Sequence, residues 1–262
     1  MKNIVQSSQD TTMRIGADEF SASSIVLVAA VLLSFLVSYA ALYWFKNDVP
    51  VATLLGKEDG VVEYLGALAF FFASMAFLAA YLSSRTLAEG ILVRGNAFYL
   101  LFAVMFFFAA GEEISWGQRI FGLELPESIR SMNNKGEINI HNLTPFSRTN
   151  DDGIGWGFSR LFSIFVLLYC VLTPVVYRLS SGARNILNRV QVPIVPLWLG
   201  GICIANYLVS MWMKSVEAEA NMHVYAIEVK EMNFAIIFLA FGLYCYKLSR
   251  NRQTMTSPPE LE

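Results

Sequence analysis

Six long apolar runs alternate with polar segments along this chain. They cover Ile25–Phe45, Val61–Leu82, Asn96–Ile114, Phe158–Leu179, Val192–Met213 and Val224–Leu248. A helix of roughly 20 mostly apolar residues spans the hydrocarbon layer of a bilayer. Lipid cannot hydrogen-bond a bare backbone, so each run must be helical. The pattern therefore predicts an all-α fold, a polytopic membrane helix bundle with about six transmembrane helices.

The polar segments divide the chain into one membrane domain with a tail at each end. We expect a polar tail over residues 1–24, a single transmembrane domain over 25–248, and a second tail over 249–262. The loop between the third and fourth spans, residues 115–157, is long and carries regularly spaced apolar residues. A disordered linker lacks such residues, so we expect this outer loop to pack against the helix ends, with a short helix at Pro126–Arg130.

Composition agrees with a membrane protein and excludes some partners. Hydrophobic residues make up 55% of the chain and charged residues 15%, with a mean hydropathy of +0.49, whereas a soluble domain carries about 25% charged residues. The net charge of −2 and the lack of a basic stripe argue against a nucleic-acid partner. The three cysteines lie in different spans and form no C-x-x-C pair, so they predict neither disulfides nor a zinc ribbon.

Orientation follows from the distribution of lysine and arginine. The side that holds both termini has ten of them, and the short loops of the other side have four once the long loop is set aside. Because short cytoplasmic loops are enriched in these residues, we expect both termini to be cytoplasmic. Fifteen of the 21 acidic residues, and both histidines, then fall on the outer side.

The first group of candidate residues ends the third span, in the segment Gly111–Arg119. If the helix persists, Glu112, Ser115, Trp116 and Arg119 share one face. Ionisable residues within the membrane are rare and usually functional, which favours a role for Glu112 and its neighbour Glu113. The alternative is that the helix has left the lipid and Glu112 pairs with Arg119 in headgroup water.

The second group lies at the start of the last span. Helical periodicity puts Glu217, Asn221, Glu228 and Glu231 on one stripe, and Glu219, His223 and Lys230 on another. Glu228 and Glu231 fall inside the apolar segment at a spacing of i, i+3, so both could bind one ion. The alternative is a helix that begins near Val229, with these acids close to its N-terminal dipole.

Two further positions could join these acids. His141, followed by Asn142 in the long loop, would serve as a ligand or base, or else as an ordinary surface histidine. Glu63 opens the second span, where it would either join the cluster or only stabilise the first turn of the helix.

These motifs resemble those of an uncharacterised family of bacterial multi-pass inner-membrane proteins. The resemblance spans roughly residues 50–245 and rests on E-D-G-x-x-E at Glu58–Glu63, G-E-E-x-S-W-G-Q-R at Gly111–Arg119, Pro126-Glu127, N-x-x-G-E-x-N-x-H-N-L at Asn133–Leu143, and Glu228-x-x-Glu231. It implies a location in the bacterial inner (cytoplasmic) membrane, but it implies no reaction.

The sequence thus favours a membrane-embedded enzyme that acts on a lipid, a lipid-linked sugar or another envelope component at the outer face. Glu112, Glu113, His141, Glu228 and Glu231 would bind a divalent metal or act as acid and base. The supporting residues would be Glu63, Trp116, Gln118, Arg119, Asn142 and His223. The alternatives are an ion- or proton-coupled transporter that uses the same carboxylates, and a structural or assembly partner of an envelope complex.

Overall fold

The fold was analysed in a computed structural model of the chain. It describes residues 22–45, 50, 60–85, 95–124, 126–130, 133, 136–140, 158–216 and 220–256. The predicted tail at residues 1–24 therefore falls almost wholly outside the described residues, as do both members of the His141–Asn142 pair.

The described part of the chain is almost entirely helical, as predicted. The helices are α1 (Ala22–Phe45), α2 (Val61–Ser84), α3 (Ala97–Glu113), the short α4 (Gln118–Phe121) and α5 (Glu127–Arg130), α6 (Phe158–Val166), α7 (Thr173–Leu179), α8 (Ser181–Arg189), α9 (Leu197–Val216) and α10 (Ala220–Thr256). The short helix expected after Pro126 is present as α5. Helix α10 continues beyond Leu248, where the last apolar run ends.

Among the described residues, three helical stretches are long and apolar enough to cross a membrane: Ile25–Phe45, Val61–Ser84 and Leu161–Leu179. They indicate a membrane protein. The other three predicted spans coincide with α3, α9 and α10, but α3 has only 17 residues, and α9 and α10 contain buried polar residues. The count of six spans therefore remains a prediction.

A seam between α2 and α10 forms the most extensive contact between the described helices. One stripe of α2 consists of small buried residues at spacings of three and four: Gly66, Ala69, Ala73, Ala76 and Ala80. The α10 backbone approaches closely along this stripe, and a Cβ placed on Gly242 would lie 3.0 Å from the Cβ of Ala76. Small residues allow such close packing where lipid provides no hydrophobic drive for helix association.

Aromatic rings fill the space beside this seam. Phe106 of α3 lies 4.7 Å from Phe238 of α10 and 5.6 Å from Phe77 of α2, measured between ring centroids. Phe77 also meets Phe241 edge-on at 5.6 Å. These geometries are those that aromatic pairs prefer, so the rings fix the positions of α2, α3 and α10 relative to one another.

Prolines explain two departures from the predicted spans. The run Phe158–Leu179 is not one regular helix, because a π-helical turn, Leu167–Leu172, separates α6 from α7 just before Pro174. Proline has no N–H to donate in a regular helix, and a π-turn accommodates this defect. The fifth predicted span, α9, begins at Leu197 instead of Val192, because it follows Pro196. The carbonyl of Pro196 accepts the Gly200 N–H at 3.2 Å.

Candidate functional site

The third helix ends in a left-handed turn that positions the first candidate motif. Ser115 and Trp116 have φ values of 46° and 53°, and Gly117 has 77°. Positive φ is uncommon for residues other than glycine, and such strain often lies at functional sites. The helix therefore stops at Glu113, so the expected continuous helical face from Glu112 to Arg119 is wrong.

The turn folds the Trp116 indole back over the end of α3. Its ring covers Gly111, where an added Cβ would lie 2.8 Å from the ring carbons. The indole Nε1 donates a 2.8 Å hydrogen bond to Glu112 Oε1. The adjacent Gly111-Glu112 pair thus has a structural explanation, because the glycine makes room for the ring and the glutamate accepts its N–H.

Part of the long loop returns to this turn and is held by it. Ile140 N–H donates to the second oxygen of Glu112 at 2.6 Å, and Gln118 Oε1 accepts the Ile138 N–H at 2.6 Å. Ser115 Oγ, which is buried, donates to Glu137 Oε2 at 3.2 Å. These bonds connect the two longest sequence motifs directly.

Asparagine side chains brace the returning segment from within. Asn133 Nδ2 donates to the carbonyl oxygens of Glu137 and Asn139 at 2.8 and 3.1 Å. Asn139 Nδ2 donates to Ser115 Oγ at 3.2 Å and also to Glu137 Oε2. Both asparagines are buried. Residues 136–140 are therefore placed by side-chain hydrogen bonds and lack regular secondary structure of their own.

Glu113 faces a different environment from Glu112. Its carboxylate interacts electrostatically with those of Glu231 and Glu228 on α10, Glu63 on α2, and the adjacent Glu112. Glu113, Glu63, Glu228 and Glu231 are all partly buried. The structure thus brings together acids from three helices that are far apart in the sequence. We call Glu63, Glu113, Glu228 and Glu231 the carboxylate cluster.

A second polar layer lies beside the cluster and was not anticipated. Tyr39 of α1 donates to Asn206 Oδ1 of α9 at 3.0 Å, and Asn206 Nδ2 donates to the Lys230 carbonyl at 2.9 Å. Ser210 Oγ donates to the Ala226 carbonyl at 3.0 Å, and Asn233 Nδ2 donates to Ser38 Oγ at 3.0 Å. We call the side chains that make these bonds the polar belt: Ser38, Tyr39, Asn206, Ser210 and Asn233.

The remaining candidates are placed only in part. His141 and Asn142 lie outside the described residues, so their predicted approach to Glu112 or Glu113 is a prediction still, although Ile140 next to them does reach Glu112. Arg119 belongs to α4 and His223 to α10, and only their backbones are described. Within the described ranges, no three histidine, cysteine or acidic side chains form a group that could hold a metal ion.

No family model, curated protein or solved structure matches this chain. The resemblance drawn from the motifs therefore remains a prediction. The polar belt could have been found from the sequence, because Asn206 and Ser210 stand at i, i+4 within an otherwise apolar run. Polar pairs of this kind commonly hydrogen-bond between membrane helices.

Proposed function

We propose that this protein is a multi-pass membrane enzyme whose carboxylate cluster works at the outer face of a bacterial inner membrane. Its substrate would be a lipid, a lipid-linked sugar or another envelope component. In this arrangement the six predicted helices cross the membrane and both termini are cytoplasmic. The observation that supports the proposal is that Glu113 interacts electrostatically with carboxylates of α2 and α10.

The chemistry follows from crowding of like charges. Carboxylates held together away from bulk water cannot all remain ionised without a bound proton or cation. A shared proton would make Glu113 a general acid towards the substrate, with Glu228 or Glu231 as the complementary base. Glu112 would not take part directly, because its two oxygens already accept hydrogen bonds from Trp116 and Ile140.

A divalent cation is the second way to satisfy the same carboxylates. Oxygen ligands suit Mg²⁺, Ca²⁺ or Mn²⁺, and a contribution from His141 would admit Zn²⁺. The described residues alone do not form such a site, so a metal would need a ligand from elsewhere in the chain or from the substrate. Elemental analysis of the purified protein, with Glu113→Gln as the matched variant, tests this version of the proposal.

The enzyme proposal is tested by comparing membrane lipids before and after exposure to the protein. Purified protein in nanodiscs made from bacterial inner-membrane lipid is incubated with and without Mg²⁺, Mn²⁺ or Zn²⁺, and the lipids are analysed by mass spectrometry. We expect a lipid to be converted by the wild type and by Glu127→Gln, which alters an exposed acid of the loop. Glu113→Gln should abolish the conversion. Equal lipid profiles for wild type and Glu113→Gln would contradict the proposal.

The orientation has its own test by cysteine labelling. The native cysteines Cys170, Cys203 and Cys245 are all buried, so a cysteine introduced at the surface should dominate the reaction. A reagent confined to the periplasm should modify Asn134→Cys in the long loop but not Asn185→Cys, which lies on exposed α8. The reverse pattern would move the cluster to the cytoplasmic side.

A transporter is the second candidate, and the polar belt favours it. Asn206 is fully buried halfway along the 20-residue helix α9, so polar groups continue inward from the carboxylate cluster. Transport sites lie near the midplane of the membrane. A proton or cation flux in proteoliposomes that disappears in both Glu113→Gln and Asn206→Leu would place this candidate ahead of the enzyme.

A further inference from the structure

A buried lysine lies in the same helical turn as two of the clustered acids. Lys230 is only 4% exposed, and its Nζ lies 3.5 Å from Glu231 Oε1. Glu228 and Glu231 flank it along α10. We infer that Lys230 is a positioning residue that acts as the internal cation of the carboxylate cluster. This inference rests on the proposed function, because it assigns Lys230 a part in the site proposed above.

Burial of Lys230 is not explained by stability. Its partner Glu231 keeps 25% of its side chain exposed, but removing a lysine from water costs more than ion-pair attraction usually returns, and hydrophobic residues of similar volume often serve the fold as well. The position within an apolar helix adds to that cost. A charge pair retained under these conditions is more simply explained by what it does to the neighbouring acids.

The polar belt holds this turn of α10 in place. The carbonyl of Lys230 accepts Asn206 Nδ2, and the carbonyl of Ala226, one turn earlier, accepts Ser210 Oγ. Asn233 is tied to Ser38 of α1. Bonds from two neighbouring helices to two successive turns of α10 restrict the rotation and translation of this helix, so the backbone that carries Glu228, Lys230 and Glu231 is fixed.

The charges around Lys230 show why one cation matters. On α10 it has Glu228 and Glu231, and Glu113 of α3 interacts electrostatically with both of these and with Glu63 of α2 and Glu112 of α3. At the level of the belt, α1 and α9 contribute the neutral groups of Tyr39, Asn206 and Ser210. With its ammonium in place, Lys230 balances Glu231. Without it, the cluster carries one more uncompensated negative charge, and a carboxylate must take up a proton.

This gives a spectroscopic test that does not depend on turnover. Infrared spectra of the full-length protein in nanodiscs at neutral pH report protonated carboxyl groups through their C=O stretch. We expect Lys230→Met to gain up to about one carboxyl equivalent in this band relative to wild type. Lys230→Arg, which keeps the cation, should match the wild type. Lys230→Met combined with Glu231→Gln removes both charges and should lose the gain.

The outcomes separate the inference from its alternatives. An unchanged band in folded Lys230→Met would overturn it. If Lys230→Met does not fold but the double variant does, the unpaired Glu231 charge is the cause, which supports the inference. If both fail to fold while Lys230→Arg folds, the fold requires the positive charge whether or not Glu231 is ionised, and the inference that it serves the carboxylates is wrong. A negative lipid assay with a positive infrared result would reject the enzyme proposal while leaving the role of Lys230 in the cluster intact.

Discussion

The middle of α3 and its C-terminal end are both buried, but in different ways. In the middle of the helix, Phe102 and Phe106 are buried against other aromatic rings and need only space and shape. At its C-terminal end, Glu112 is also buried, at 8% exposure, but each of its oxygens needs a hydrogen-bond donor. Apolar burial therefore tolerates small changes in geometry, whereas polar burial at the C-terminal end depends on a returning loop segment.

The aromatic middle should show the largest loss of stability. Phe106→Ala removes a ring that contacts Phe77 and Phe238 and leaves a cavity that the neighbouring helices cannot fully close. We expect a loss of about 3–5 kcal/mol in the free energy of unfolding, measured by reversible denaturation in mixed micelles. Phe107→Ala is the matched control, because that ring is 47% exposed and faces the surroundings of the bundle. Equal losses in the two variants would mean that the rings do not set the helix positions.

A change at the C-terminal end of α3 should lower the free energy of unfolding less, but should lower hydrogen-exchange protection near the change more. Glu112→Gln keeps one acceptor and turns an NH₂ group towards a donor, so either Trp116 Nε1 or the Ile140 N–H loses its partner. A buried donor left unsatisfied costs about 1–3 kcal/mol. Hydrogen exchange should show the Ile140 amide exchanging faster than in wild type, with the α2–α10 seam unchanged. Protection at Ile140 equal to that of the wild type would show that the loop is held by other contacts.

The contrast also marks what the sequence could predict. Apolar length located the helices, and the third run begins at Asn96, which the structure shows to cap α3 by accepting the Phe98 N–H at 2.9 Å. The left-handed turn at Ser115 and Trp116 could not be predicted, because local preference opposes positive φ there. Glu112 and Glu113 were both nominated, but their separate roles could not be predicted, because Ile140 of the long loop bonds to Glu112 whereas Glu113 interacts with acids of α2 and α10.

Lys230 is a residue whose burial the sequence could not predict. A lysine among acids at a helix start resembles a solvated charge, and only the packing of α9 against α10 shows that it is buried. The predicted stripe of Glu228 and Glu231 was sufficient to nominate both acids. It could not indicate which neighbour would balance them.

The neighbouring carboxylate should behave unlike Glu112. Glu113→Gln removes one carboxyl group from a cluster of like charges, whether or not that group holds the shared proton, so we expect the free energy of unfolding to stay level or rise by about 1 kcal/mol, the scale of a partly hydrated charge pair. The proposed lipid conversion should nevertheless be lost. Denaturation and the lipid assay on the same preparation check both parts. If Glu113→Gln destabilises the protein as much as Glu112→Gln does, Glu113 is a structural residue and the comparison between the two acids fails.

Changes in the polar belt should alter the free energy of unfolding least. They test how hydrogen bonds buried in a membrane differ in strength from those of proteins in water. The Ser38–Asn233 bond of 3.0 Å joins α1 to α10, and an unfolded chain in the bilayer would find other partners for both groups. Interhelical hydrogen bonds in membrane proteins therefore average only about 0.6 kcal/mol. A double-mutant cycle with Ser38→Ala and Asn233→Ala, read as unfolding free energy, should return a coupling of this size. The Tyr39 and Asn206 pair provides a second cycle at the same depth. A coupling several times larger would mean that the belt holds the carboxylate-bearing turn against strain, and that α1 contributes to the geometry of the cluster and not only to the periphery of the bundle.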